Sequence, residues 1–523
     1  MEQKYILIIL LTAIFVNACQ SPSLQNTSRN DFKYLEIDIS GLQEGYKNGS
    51  WTIKDVVTAF LDRIQQIDQD SPALNSVITV NPEAFHIAEM LDKEMSEGKI
   101  RGPLHGIPVL LKDNIDTRDK MPTTCGSRAL KDSYPLKDSY VAQKLREAGA
   151  VIIGKTNLSE WANFRGELSI SGWSGAGGQT KNPYDPDRNP CGSSSGSGTA
   201  ISANLAMIAI GTETDGSIVC PSHATGIVGI KPTVGLVSRS GIIPISCTQD
   251  TPGPMARTVK DAAICLGVLT GVDTTDEKTW ASRGKYHSDY TQFLNKDGLK
   301  GKRIGIYNTS KGINYKVDQL LMQAVEFMKE KGAEVIVVEK ISEDHDLSNF
   351  EFEVLLYEFK DGLNKYFQTL GPDAPVKNIE ELIAFNKSDK VELHYFNQAY
   401  LEMASNKGPL TEKAYTDALG NMLKGIREEG IDRVMNELDL DAIVAPTGSP
   451  AWLTDPVNGD SFSFGSSSPA AMAGYPNITV PMGFIDNLPV GISFFGRAWS
   501  EPVLFEIAFA YEQGTRHRKA PEF

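Results

Sequence analysis

Residues 172–254 constrain the fold more than any other part of this 523-residue chain. The stretch is dominated by Gly, Ser, Thr and Pro and carries few charges. In isolation that composition describes a flexible linker. Here two apolar segments, Ile201 to Ile210 and Ile227 to Ile230, interrupt it. A solvated linker has no place for them, so the stretch belongs inside a folded core. Glycine and serine in a core mean backbone that passes close to something else, because a missing or small side chain permits the approach.

The flanking sequence sets the fold class. Gly106 to Leu111 and Ala150 to Gly154 are short apolar runs with the look of buried strands, and Ser139 to Ala148 predicts a helix between them. Upstream, Val57, Phe60, Leu61, Ile64 and Ile67 recur at helical spacing, so Thr52 to Ile67 predicts an amphipathic helix capped by Thr52 and Asp55. Downstream the pattern repeats, with strands at Arg303 to Tyr307 and Glu334 to Val338 around a helix at Val317 to Lys331. Residues 340–437 are more polar and largely helical. Strands at Asp441 to Ala445, Asn477 to Val480 and Val490 to Phe495, then a helix from Pro502 to Gln513, close the chain. Strands alternating with helices predict an α/β fold whose sheet is covered on both faces. No repeat of fixed period and no interdomain linker stands out, so residues 33–523 are expected to form one large domain.

The N-terminus reads differently. Lys4 precedes an apolar run from Tyr5 to Phe15, too short for a permanent membrane span. It ends in Val16-Asn-Ala-Cys19, which resembles a bacterial lipobox, and Gln20 to Asn30 is a polar tether. The expectation is a signal peptide over 1–18, a lipidated Cys19 opening a tether over 19–32, and export as a bacterial lipoprotein held in the periplasm or at the cell surface. The only membrane contact expected is that lipid anchor. A net charge of −15 argues against nucleic-acid partners, which need excess Lys and Arg. Apart from Cys19 there are five cysteines, Cys125, Cys191, Cys220, Cys247 and Cys265. With an odd number and no CxxC pair, neither a zinc site nor a full disulfide framework is indicated; most are expected to be small buried residues, while Cys191 and Cys220 lie beside the motifs below and have chemistry to watch.

None of the seven histidines, His86, His105, His223, His287, His345, His394 and His517, lies in an HExxH or G-x-S-x-G setting. No Walker phosphate loop is read here: Gly149-Ala-Val-Ile-Ile-Gly154-Lys155-Thr156 has the glycine spacing of one, but its interior is the apolar strand-like run Ala150 to Gly154 rather than a loop. Three segments remain as candidates for chemistry. They are Pro108-Val-Leu-Leu-Lys112-Asp113-Asn114, Cys191-Gly-Ser193-Ser194-Ser195-Gly-Ser-Gly198 and Gly211-Thr-Glu213-Thr214-Asp215-Gly216-Ser217-Ile218. Singly each has a bland reading, as a snorkelling lysine, a flexible loop and a turn after a strand.

Together, in this order and spacing, they resemble the amidase signature family. Asn182 to Pro190, Gly229-Ile-Lys-Pro-Thr-Val-Gly-Leu236, Gly474 to Gly483 and Leu488 to Gly496 match family segments too, so the likeness covers roughly residues 33–515. The resemblance implies a mixed, twisted sheet between helices, no metal and no cofactor. It implies a triad of Ser217 as nucleophile, Ser193 as proton relay after a cis peptide bond, and Lys112 as base. The oxyanion hole would be the backbone N–H groups of Thr214, Asp215, Gly216 and Ser217. The chemistry is self-consistent. A serine hydroxyl needs a base, and without histidine a lysine serves once burial makes it neutral. The neighbouring Asp113 would oppose that shift, so its carboxylate is expected to point elsewhere.

Glu213-Thr-Asp-Gly-Ser-Ile-Val-Cys-Pro221 and Gly235 to Ser246 depart from the commonest family pattern and look like the bacterial peptide amidase branch. Those enzymes release ammonia from peptide C-terminal amides. Ser194, Asp215 and Glu213 are candidates for substrate contact or support, and Asp215 reads equally well as a turn cap. The alternatives are an amidase of aryl or alkyl amides, the amidase component that transamidates misacylated tRNA, and a binding lipoprotein that has lost catalysis. The resemblance does not give the oligomeric state.

Overall fold

The central event of the fold is a pair of parallel strands that end side by side. A computed structural model describes residues 31–343 and 346–523. The expected helix begins at its predicted cap: Thr52 and Asp55 form a capping box on Ile53–Arg63, and the last predicted turn widens into a π-helical stretch, Ile64–Asp70. In chain order the strands are β1 Val77–Val80, β2 Pro108–Lys112, β3 Val151–Thr156, β4 Trp173–Ser174, β5 Gly178–Gln179, β6 Ile208–Glu213, β7 Val228–Lys231, β8 Thr251–Ala256, β9 Arg303–Ile306, β10 Glu334–Val337, β11 Ala442–Pro446, β12 Asn477–Ile485 and β13 Leu488–Phe495. Eleven of them form one sheet in the order β1-β3-β2-β6-β8-β7-β12-β13-β11-β9-β10, with β4 and β5 as a separate ribbon.

The sheet is mixed, as expected. Strands β3, β2 and β6 are parallel, β8, β7, β12 and β13 join antiparallel, and β11, β9 and β10 are parallel again. Both α/β portions predicted from sequence thus share one sheet, and the chain forms one large α/β domain. Every residue of β2, β3 and β6 is buried, which is why their sequences are continuous apolar runs. Strands β1 and β8 were not anticipated. The latter reads Thr-Pro-Gly-Pro-Met-Ala, a poor strand sequence. It is tolerated because β7 stops pairing with it at Gly229 opposite Met255, leaving the Pro252 to Pro254 part paired on one flank only.

The Gly/Ser stretch is core, as its apolar interruptions require. Ser195–Ser202 is a helix with every residue buried, despite the weak helix formers Ser-Gly-Ser-Gly. Close packing dictates that choice: a Cβ on Gly196 would lie 2.3 Å from the Ser76 carbonyl oxygen and 2.4 Å from that of Asn157. Because β2 and β6 run parallel, with Leu111 opposite Ile210, Lys112 and the turn after Glu213 emerge at the same edge. The carboxyl ends of parallel strands are where α/β sheets hold their ligands.

Candidate active site

Lys112 is the last residue of β2, and no part of it reaches solvent. Its Nζ lies 2.7 Å from Ser193 Oγ, 2.9 Å from Thr212 Oγ1 and 3.1 Å from the Thr212 carbonyl oxygen. Burial lowers its pKa from 10.5 to about 7, and Cys125, Asp250 and Glu213 only partly oppose that shift. Asp113 turns away from it: Thr124 N and Oγ1 both donate to its Oδ2, and the positive charge that acts on it most is that of Lys155.

The serine loop is laid against β6. The Gly192–Ser193 peptide is cis, and the Ser193 carbonyl accepts from Ser159 N at 3.0 Å. Ser194 is buried and occupied: its Oγ donates to the Thr212 carbonyl at 3.1 Å and accepts from Thr212 N at 3.3 Å. Its N–H donates to the Ser217 carbonyl at 3.1 Å, tying the serine loop to the residue predicted as nucleophile. Ser194 is therefore a support. Exposure falls from 7% at Ser217 to 1% at Ser193 and 0% at Lys112, so an incoming molecule meets Ser217 first.

Between Glu213 and Ser217 each side chain has its own tether. Glu213 Oε2 accepts from Ile218 N at 2.7 Å and Val219 N at 2.9 Å, which makes it the cap of the short helix Val219–Ala224. Thr214 Oγ1 donates to Asp250 Oδ1 at 2.6 Å. Asp215 Oδ2 accepts from Ser468 Oγ at 2.6 Å, which favours the supporting reading of this residue. Gly216 sits at φ +79°, in the region that favours glycine. Among the described residues the N–H groups of Asp215, Gly216 and Ser217 donate to no other group. Burial raises the pKa of Glu213, of Asp215 and, to about 6, of Asp250.

Three sets of participants escaped the sequence reading. Thr212 receives both Lys112 and Asn114, whose Nδ2 lies 3.0 Å from Thr212 Oγ1. It lies inside the third motif, where parallel pairing with Lys112 was its available signal. Asp250 and Gln249 follow the segment matched to the peptide amidase branch, and Gln249 Nε2 donates to Glu351 Oε1 at 2.7 Å on the helix Leu347–Thr369. The third is a disulfide between Cys191 and Cys220, the two cysteines beside the motifs, both of them buried. It joins the serine loop to the helix behind Ser217 and packs on Trp452 and Ala224. Cys125 and Cys265 are buried and free, as expected, while the free Cys247 is exposed.

Comparison with known proteins settles the family. A family model described as Amidase matches residues 55–505. The chain belongs to the amidase signature family. It is an amidase, a hydrolase of amide C–N bonds. A probable amidase of Arabidopsis thaliana is 40% identical over 99% of this chain and 97% of its own length. The crystal structure of native peptide amidase from Stenotrophomonas maltophilia is 49% identical, with a TM-score of 0.90 over 94% of this chain and 99% of that one. Peptide amidase in complex with the competitive inhibitor chymostatin gives 49% identity and a TM-score of 0.92, over 94% and 100% of the two chains. A component of the glutamyl-tRNA(Gln) amidotransferase of Carboxydothermus hydrogenoformans is 33% identical over 89% of this chain and 94% of its own.

The cysteine pairing gives a direct check. Apart from Cys19, the amidase denatured without reductant is expected to titrate three thiols, and five once the Cys191–Cys220 bond is reduced. Five thiols before reduction would mean that the bond does not form.

Proposed function

We propose that this amidase releases ammonia from the C-terminal amides of peptides, with Ser217 as nucleophile, Ser193 as proton relay and Lys112 as base. The observation that carries the chemistry is the 2.7 Å contact of Ser193 Oγ with a fully buried amine. A neutral amine has two hydrogens and one lone pair. The Thr212 carbonyl can only accept, and Thr212 Oγ1, which already accepts from Asn114, takes the second amine hydrogen. The lone pair is then left to Ser193, whose hydroxyl donates to it.

The reaction follows from that arrangement. Lys112 takes the Ser193 proton as Ser193 takes that of Ser217, and Ser217 Oγ attacks the amide carbon. The negative charge on the carbonyl oxygen is met by the free N–H groups of Asp215, Gly216 and Ser217, with Thr214 beside them. Each such donor is typically worth ~3–4 kcal/mol. The proton returns through Ser193 to the amide nitrogen, the C–N bond breaks and ammonia leaves an acyl ester on Ser217. Water gives up its proton by the same route, attacks the ester and releases the acid.

The narrower substrate reading rests on the likeness to the two peptide amidase structures at 49% identity, set against 33% for the tRNA amidotransferase component. A net charge of −15 also disfavours tRNA. The discriminating experiment compares peptide amides with aryl and alkyl amides by kcat/KM. Preference for the aryl or alkyl amides would replace the peptide reading and leave the triad standing.

Ser217→Ala is expected to lower turnover by at least ~10³-fold with the melting temperature nearly unchanged. Comparable turnover by this variant would remove the triad. For the base the sign is fixed by the lowered pKa. Only neutral Lys112 can accept a proton, so kcat/KM should fall about tenfold per pH unit below about 7. Lys112→Arg keeps the charge and cannot give up its proton, so it should be inactive at every pH. Near-normal activity in that variant would reduce Lys112 to a fixed charge.

Export is part of the same proposal. Cys19 lies outside the described residues, and among the described residues no helix is long and apolar enough to cross a membrane. A lipid on Cys19 would supply the anchor, and a disulfide beside the site suits an oxidising compartment. Cys19→Ala should move the enzyme from the membrane fraction to the soluble fraction. Retention in the membrane would exclude the lipid.

A further inference from the structure

Two motifs of the sequence, Gly229 to Leu236 and Gly474 to Gly483, take no part in the chemistry above. They meet at a second buried lysine. Lys231 ends β7, is fully inaccessible, and donates from Nζ to the Tyr475 carbonyl at 2.6 Å and to that of Pro232 at 3.4 Å. Both acceptors are neutral, so a cationic Lys231 needs its counter-charge elsewhere. The charged groups that face it are Glu213 on β6, Glu501 at the start of the helix Glu501–Thr515, Asp215 in the nucleophile turn and Arg427. Glu213 acts on it most strongly, and Lys231 is in turn the strongest influence holding the buried Glu213 ionised. Glu501 is already engaged, accepting from Thr233 N at 2.7 Å.

We propose that Lys231 is a positioning residue for the nucleophile turn, acting through Glu213. Its charge keeps Glu213 a carboxylate, and the carboxylate pins the N–H groups of Ile218 and Val219, the two that follow Ser217. With those two donors occupied on the far side, the turn presents the N–H groups of Asp215 to Ser217 outward. A protonated Glu213 is a weaker acceptor and adds an O–H that needs its own partner in a dry site. Burial lowers the Lys231 pKa to about 8, so the device fails as pH rises through that value. The inference rests on Ser217 being the nucleophile. The Ser217→Ala variant tests that premise separately.

The experiment is a double-mutant cycle. Lys231→Met keeps length and removes charge, leaving Glu213 a buried anion without its counter-ion. It is expected to lower kcat about 10- to 100-fold with KM changed less than threefold, and to slow labelling of Ser217 by a phosphonate probe in parallel. Glu213→Gln removes the anion while keeping an acceptor. It should cost activity in the wild type, yet cost nothing or restore activity in the Lys231→Met background. Strictly multiplicative losses in the double variant would overturn the proposal, because a lysine that merely packs is blind to the charge on residue 213. Should Lys231→Met fail to fold, Lys231→Arg decides the matter by pH profile. The fall in kcat/KM above pH 8 should disappear when the charge no longer titrates, and an unchanged alkaline limb overturns the assignment.

Discussion

Everything in this molecule depends on keeping one amine dry. A lysine at a strand end normally snorkels to water and stays charged. Lys112 is denied that exit by β3 on one side, β6 on the other and the serine loop across its tip. The free energy of desolvating an ammonium favours giving up the proton, and burial lowers the Lys112 pKa to about 7, as the proposed base requires. The proposed base thus ends a strand that is buried along its whole length. A half-exposed antiparallel strand would bury a lysine on one face only and leave it protonated. The short reach from Lys112 to Ser193 also explains why the serine loop must be glycine-rich, since larger residues at 192 or 196 would push it off Ser159 or Asn157.

Around that base the protein gathers carboxylates, and their placement shows restraint. Glu213, Asp215 and Asp250 all lie beside the nucleophile turn, each accepting hydrogen bonds that fix the backbone. A carboxylate in contact with Lys112 would restore its proton and disable it as the proposed base. Instead each acid faces a backbone N–H or a hydroxyl, and their field on Lys112 only partly offsets burial. The second lysine, Lys231, supplies the opposite charge from behind the turn. In the proposed mechanism two buried lysines a few strands apart thus have opposite duties, one neutral to accept a proton and one charged to hold an anion. Both amines hydrogen-bond only neutral oxygens, and burial lowers both pKa values, to about 7 at Lys112 and to about 8 at Lys231, where three carboxylates oppose it rather than two.

The strands and helices with clear periodicity were legible in the sequence to within a residue or two, as with Tyr140–Glu147 and Glu501–Thr515. The proposed triad of Lys112, Ser193 and Ser217 rests, in the sequence, on the family resemblance alone, because each motif by itself has a bland reading. What stayed hidden depends on contacts distant in sequence. Strand β8, with prolines at 252 and 254, exists because a sheet flanks it, against its own propensity. The helix Ser195–Ser202 exists because Asn157 and Ser76 leave room for nothing larger than glycine at 196. The pairing of Cys191 with Cys220 needs the serine loop and the nucleophile helix folded side by side. Thr212 offers the same lesson at a smaller scale, since a threonine becomes a partner of Lys112 only once β2 and β6 are known to be parallel neighbours.

The polar region 340–437 is attached to this apparatus in a distinctive way. Its helices have an apolar core of their own with Trp161, Phe164 and Ile243, yet the links nearest the chemistry are polar and buried. Glu358 accepts from Ser246 Oγ and Thr248, Glu351 from Gln249, and Tyr366 donates to Asp116 at 2.9 Å. Arg165 stands between Glu160 and Glu392, all three almost fully buried. Buried polar contacts add little net stability but penalise misplacement heavily, since any shift strands a desolvated group. They therefore fix where the helical wall sits over the sheet edge and leave its remaining surface free to vary. Lys112, Ser193 and Ser217 hang from the sheet and its loops, whereas the wall is docked through residues 243–250 and 160–165. On the proposed mechanism, substitution of the wall would change which amide is admitted without moving the groups proposed to cleave it.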